Sequence, residues 1–415
     1  MDRAACYLAP RASIVKMQQS LLLPARIRAE QNRRNNSMRY HNALVFGPDF
    51  RFHKGGFSVE NGRFTGVLSE ETGGVDLEGA YVVPGFVDIH LHGNSGHDFS
   101  DGDFEGLTVI ARYLAKNGIT SFAPASVTLP ESELNTAYAT AAQFAESTPA
   151  GCAALRGIHM EGPFFAEKKK GAQNGAYLQS PDDEMFQRLN QAARGLIRIA
   201  DVAPELPGAT DYIEKVSKVC RVSIAHTDAD YDAAKAAIAA GATHVTHLFN
   251  AMPPMLHRAP GVIGAAAESP QVTAEIISDG MHVHESVVRA AYSMFGPERL
   301  CLVSDALSCS GMPNGEYMLG GQKIFLDGSV ARLVDAPDTL AGSASNLFDL
   351  FRKAVCFGIP AEAAVRMASY NPARVIGASD EVGSIANGKR ADFLVLNSDF
   401  SLKSVYLAGS AISEN

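Results

Sequence analysis

Val82-Val83-Pro84-Gly85-Phe86-Val87-Asp88-Ile89-His90-Leu91-His92-Gly93 is an apolar, β-branched run that ends in two histidines spaced two apart. On a strand, that spacing puts His90 and His92 on the same face. Four more segments repeat the pattern of a strand-like stretch ending in a histidine or a carboxylate. They are Gly157-Ile158-His159-Met160-Glu161-Gly162-Pro163, Val222-Ser223-Ile224-Ala225-His226, Thr243-His244-Val245-Thr246-His247 and Leu302-Val303-Ser304-Asp305. In a closed parallel barrel the strand C-termini converge on one rim, so residues far apart in sequence meet there. Imidazoles and carboxylates gathered at such a rim describe a hydrolytic metal site.

Working outward, candidate strands fall at 82–90, 119–125, 155–161, 197–202, 221–226, 243–248, 274–278 and 300–305. Helical stretches intervene, such as Gly106–Lys116, Glu131–Glu146, Asp230–Ala240, Glu285–Met294 and Asn346–Phe357. Eight β segments alternating with helices predict an α/β fold, a (β/α)8 TIM-type barrel over residues 82–375. An open doubly wound sheet is the alternative, but no G-x-G-x-x-G follows the first strand. From Met38 to Tyr81, and again after Gly383, short apolar runs alternate with Gly and Asn turns, which is hairpin punctuation. Residues 38–81 and 376–415 are therefore expected to form one small β-sandwich domain built from both chain ends.

Residues 1–37 hold seven basic residues against two acidic ones. The expectation is a poorly ordered basic tail, or an extension ahead of a start at Met38. A targeting presequence fits less well, because Leu21-Leu22-Leu23 is too short for a secretory core. With 46% hydrophobic and 20% charged residues, the chain has the composition of a globular protein with a large core. The net charge of −9, without a basic patch interleaved with aromatics, argues against nucleic acid as a partner. No apolar run approaches the roughly 20 residues that span a bilayer. Cys6, Cys152, Cys220, Cys301, Cys309 and Cys356 form no C-x-x-C pair, which favours a reducing, cytoplasmic setting.

His90 and His92 would grip one ion if their shared face is the barrel interior. A purely structural role would need partners for two buried rings. A buried Glu161 would be costly unless paired, and an ion or one of Lys168, Lys169 and Lys170 could pair it. His226 and His247 each close a strand, while His244 is expected to face away as a packing or supporting residue. Asp305 ends the last strand with no sequence neighbour to pair with. It suits a general base and then a general acid, the dull alternative being an N-cap.

At these residues the chain resembles the amidohydrolase superfamily and, within it, the N-acetylglucosamine-6-phosphate deacetylase family. The resemblance runs from about residue 40 to the C-terminus. It rests on His159-Met160-Glu161-Gly162-Pro163-Phe164 with Lys169-Lys170-Gly171-Ala172, and on His247-Leu248-Phe249-Asn250-Ala251-Met252-Pro253 with His257-Arg258-Ala259-Pro260-Gly261. Ser278-Asp279-Gly280-Met281-His282 and Val303-Ser304-Asp305-Ala306 extend it. The resemblance implies Glu161, His226 and His247 as metal ligands and Asp305 as the acid/base. It also implies substrate contacts from Ala172, Asn250, Ala251, Arg258 and His282, with a loop at Leu340, Ala341 and Gly342 closing over the sugar.

Members that keep the H-x-H pair hold two metals, which implies a second ion on His90, His92 and a bridging Glu161. Histidine and carboxylate ligands suit zinc and iron alike, so the implied cofactor is one or two divalent ions. The implied reaction is hydrolysis of the acetamide of N-acetylglucosamine 6-phosphate, by a cytosolic homodimer acting on a small amino-sugar phosphate. Arg258 offers a planar fork suited to phosphate oxygens, within its own subunit or a neighbour's. Gln173 departs from the pattern: it stands where a histidine often follows, and its amide carries no charge for a phosphate. The alternatives are another amidohydrolase acting on a cyclic amide or an acyl amino acid, and a non-catalytic relative. The first leaves the His257-Arg258 loop unexplained, and the second should have lost a ligand or Asp305.

Overall fold

A computed structural model describes residues 37–70 and 72–412, so the basic segment up to residue 36 lies outside the described residues. Eight short strands build the centre. They are β1 (Phe86–Asp88), β2 (Ile119–Phe122), β3 (Ile158–Met160), β4 (Ile197–Val202), β5 (Arg221–Ile224), β6 (Ala242–Val245), β7 (Thr273–Ile276) and β8 (Leu300–Leu302). Strands β3 to β8 pair in sequence order, each with the next and always parallel. β1 pairs parallel with β2. The two groups meet at both ends. A parallel bridge joins Ala125 to His159, and at the other junction Asp305 N donates to His90 O at 2.8 Å and His92 N to Ala306 O at 2.8 Å. The ring is of the TIM-barrel type.

Each strand is followed by a helix, the first being Phe104–Lys116 and the last Leu347–Cys356. Their starts are written in the sequence as caps: Asp103, Asp182, Asp230 and Asn346 each accept from backbone N–H groups of the first turn. Phe86, Phe122, Ile224 and Leu302 are fully buried on the strands they occupy, as expected of strands covered on both faces.

The expected first strand at 82–90 divides in two. Tyr81–Pro84 joins a separate sheet, pairing with Ser37–Phe46 and with Phe393–Leu396, while Phe86–Asp88 enters the barrel. Gly85 makes the crossing. A Cβ there would lie 2.1 Å from Thr120 Oγ1, so a side chain would collide with β2. An unbroken apolar run carries no periodic mark of such a change of partner. The separate sheet combines both chain ends, in the order Ser410–Ala411, Leu402–Leu407, Phe393–Leu396, Tyr81–Pro84, Ser37–Phe46, Phe52–Glu60, Arg63–Ser69. Stacked and edge-on rings of Tyr40, Phe57, Phe64 and Phe393 fill it.

A second feature lies outside the expected pattern. Between β8 and its helix, Gly315–Leu319, Gln322–Asp327, Val330–Leu333 and Leu340–Ser343 form an antiparallel four-stranded sheet. Its first turn leans on the loop after β3, where Gln322 Nε2 donates to Ala172 O at 2.5 Å. Cys152, Cys220, Cys301, Cys309 and Cys356 are unpaired. Among the described residues no helix is long and apolar enough to cross a membrane.

Candidate active site

His226, His247 and Asp305 leave their strands with φ of +43°, +29° and +48°. Non-glycine residues seldom adopt this left-handed region, and where they do the site is often functional. The three side chains meet Glu161, His90 and His92 at the ring's C-terminal rim. Glu161 Oε1 lies 3.2 Å from His226 Nε2, 3.3 Å from His247 Nε2 and 3.5 Å from His90 Nε2. Its other oxygen lies 3.3 Å from His92 Nε2. Asp305 Oδ1 stands 3.3 Å from His92 Nε2 and 3.6 Å from His90 Nε2.

This donor set fits a divalent cation. Two groups of ligand atoms, Glu161 with His226 and His247 and Glu161 with His90 and His92, each lie within 4.8 Å of one another. The Nε2 atoms of His226 and His247 approach to 3.0 Å. His90 Nε2 is buried among these groups with no hydrogen-bond partner, and a buried polar atom left unpaired is a mark of a missing ligand. The lysines offered as alternative partners for Glu161 are engaged elsewhere. Lys168 pairs with Asp228 at 2.6 Å, Lys170 with Glu167 at 2.6 Å, and Lys169 donates to Met252 O. Nor does Asp305 cap a helix, since the next one begins at Leu347 under Asn346.

Burial would lift the Glu161 carboxyl. Charge interaction with His90 and hydrogen bonds from His226 and His247 outweigh it and hold the group well below its ordinary value. Asp305 behaves alike: burial opposes ionisation, but His90 and His92 keep the carboxylate form favoured. Both carboxylates are therefore favoured as anions, the form that can hold a cation or take a proton.

The cluster opens on a cavity of about 290 Å³. His92, Glu161, His226, His247 and Asp305 form its floor. Ala172, Asn250, Ala251 and His282 line the wall, and Leu340, Ala341 and Gly342 come from the last strand of the inserted sheet. His282 is held by Asp279, Nδ1 to Oδ2 at 2.7 Å. His90 lies below the floor, fully buried. Arg258 is not part of this cavity; it is exposed on the loop after His247.

Gln173 also lines the cavity. It is buried, its Nε2 donates to Glu161 Oε2 at 2.9 Å and its Oε1 accepts from Thr128 N at 2.7 Å. It braces the shared glutamate, so its lack of charge bears on that carboxylate. Three cavity residues, Leu319, Asp338 and Thr339, escaped the sequence reading because the inserted sheet did. Glu275 escaped too, although a carboxylate inside the apolar run Thr273-Ala274-Glu275-Ile276-Ile277 was the available signal.

Residues 81–412 match the Amidohydrolase family. The chain belongs to that family. Among similar proteins, the N-acetylglucosamine-6-phosphate deacetylase of Vibrio furnissii is 33% identical over 360 residues, covering 85% of this chain and 89% of the relative. That of Bacillus subtilis is 36% identical over 322 residues, covering 77% and 81%. The Mycobacterium smegmatis deacetylase, solved as a mutant in complex with N-acetyl-D-glucosamine-6-phosphate, superposes with a TM-score of 0.86. It is 33% identical and covers 91% of this amidohydrolase and all of its own chain. An enamidase at 17% identity and a TM-score of 0.61 shares the fold alone.

Proposed function

We propose that this amidohydrolase removes the acetyl group of N-acetylglucosamine 6-phosphate, yielding glucosamine 6-phosphate and acetate in amino-sugar breakdown and recycling. One observation carries the reading: Asp305 stands beside a histidine–glutamate cluster at the floor of a substrate-sized cavity, in a chain whose similar proteins are deacetylases of this sugar. Glu161, His226 and His247 would hold one divalent ion, and His90 and His92 a second that shares Glu161. Zinc and iron both suit these ligands. Such an ion, when bound, polarises the acetamide carbonyl and acidifies a water.

The chain's own residues supply the rest. Asp305 takes the proton of the attacking water and later delivers it to the departing nitrogen. His282 donates to the oxygen that gains charge as the carbonyl becomes tetrahedral. Burial works against its protonated form, but the bond and charge of Asp279 prevail and hold its pKa above the ordinary value. Ala172, Asn250 and Ala251 bind the sugar, under the Leu340–Gly342 segment. The terminal sheet is read as a small β-sandwich domain of residues 38–81 and 376–415, with 82–84 added to it. The enzyme is taken to work in the cytoplasm.

Arg258 reads the phosphate. It is exposed beside Met255 and Leu256, themselves 47% and 54% exposed, and we take this loop to serve a neighbouring subunit's cavity in a homodimer. Losing one member of a desolvated charge pair costs about 2–5 kcal/mol. Arg258→Ala should therefore lower kcat/KM for the phosphorylated sugar by about 30-fold or more, and for N-acetylglucosamine far less. Equal losses on both would show that Arg258 does not recognise phosphate. The function as a whole is tested by following acetate release from both sugars. No turnover of the phosphorylated one by metal-replete enzyme overturns it.

A further inference from the structure

Glu275 sits on β7, fully buried one layer beneath the cavity floor and outside its lining. Its Oε2 accepts from His90 Nδ1 at 2.8 Å and from the backbone N–H of His247 at 3.1 Å. Its Oε1 lies 3.2 Å from His244 Nε2, and the other nitrogen of His244 meets Thr273 Oγ1 at 2.6 Å. This set of partners fixes one proton. A carboxylate donates nothing, so His90 carries a hydrogen on Nδ1, which leaves Nε2 as the ring atom that can ligate an ion and turns it upward. That Nε2 is the buried atom without a partner, aimed between Glu161 and Asp305.

We infer that Glu275 is a positioning residue that makes His90 a metal ligand, so that it governs whether the ion on His90 and His92 is retained. The inference rests on the reading of this cluster as a metal centre. His90 depends on Glu275 through its ring, whereas His247 touches it only through the backbone and keeps its place in the chain by its neighbours. His226 and Glu161 do not touch it. Removing its charge should therefore affect the two ions unequally. The geometry also explains His244: it is neither a ligand nor idle packing, since its Nε2–H holds the carboxylate from below while its Nδ1 meets the Thr273 hydroxyl.

The test compares the metal-free full chain with its Glu275→Gln variant, titrating each with cobalt(II) alone by calorimetry and by visible absorption. Glutamine has the same shape and can still accept from His90 and His247, while His244 can switch tautomer to meet the new amide N–H. The variant is thus expected to fold with an unchanged melting profile. Altering a group that supports a metal ligand typically costs about 10–100-fold in metal affinity. Wild type should take two ions. Glu275→Gln should bind its first ion as wild type does and its second about 10–100-fold more weakly. Glu275→Leu, which removes both acceptors, should take only one.

Equal affinity for both ions in wild type and Glu275→Gln overturns the inference. So does parallel weakening of both ions with a lowered melting point, which would make Glu275 a structural residue. A wild type that takes one ion removes the second site and the inference with it, while leaving the deacetylase reading intact. A wild type that takes none overturns the metal-centre reading itself.

Discussion

Asp305→Asn should lose at least about 10²–10⁴-fold in kcat, the usual contribution of a general acid–base group, while keeping its metal and its fold. The amide has nearly the carboxylate's shape, so the 2.8 Å backbone bond from residue 305 to His90 O and the closure of the ring survive. What disappears is the ability to accept a proton. The carboxylate is kept ionised against burial by His90 and His92, and no other cavity-floor carboxylate is free, since Glu161 is surrounded by histidines. Single-turnover and steady-state rates, with metal content measured alongside, decide the point. More than a tenth of wild-type kcat in a fully metallated variant would sink the role.

His247→Ala should strip bound metal and activity together. Its Nε2 lies 3.3 Å from Glu161 Oε1 and 3.0 Å from His226 Nε2, so the set of Glu161, His226 and His247 loses a third of its donors. The backbone N–H of residue 247 still bonds Glu275, so the strand end should stay in place. Elemental analysis and a circular dichroism melt separate loss of metal from loss of fold. Full stoichiometry together with a full rate would show that the ligand assignment is wrong.

Much of the barrel was legible because its signals are local. Alternating apolar runs, aspartate caps and alanine-rich amphipathic stretches each mark an element within a few residues. The residues that cluster at the rim stood out for a related reason: histidine and carboxylate at the ends of apolar strands contrast with their background. The change of sheet at Gly85 was not legible, because its cause is a contact with Thr120 thirty-five residues away. The inserted sheet at 315–343 was missed because short hairpins read like loop punctuation. Glu275 and Gln173 each carried a local signal, but their partners needed three dimensions. Glu275 is recognised by its bond to His90, 185 residues away, and Gln173 by its bond to Glu161 across a turn of the loop.

The left-handed backbone at His226, His247 and Asp305 also bears on thermal durability. Each such residue costs on the order of 1–3 kcal/mol, a sizeable draw on the roughly 5–15 kcal/mol that holds a typical domain folded. An ion bound only by the folded chain offsets this, by about 2.7 kcal/mol when free metal stands at 100 times its Kd. Chelation would therefore leave behind a protein that is both idle and easier to melt. In a cell short of metal, the same shortage that silences the enzyme would hasten its turnover.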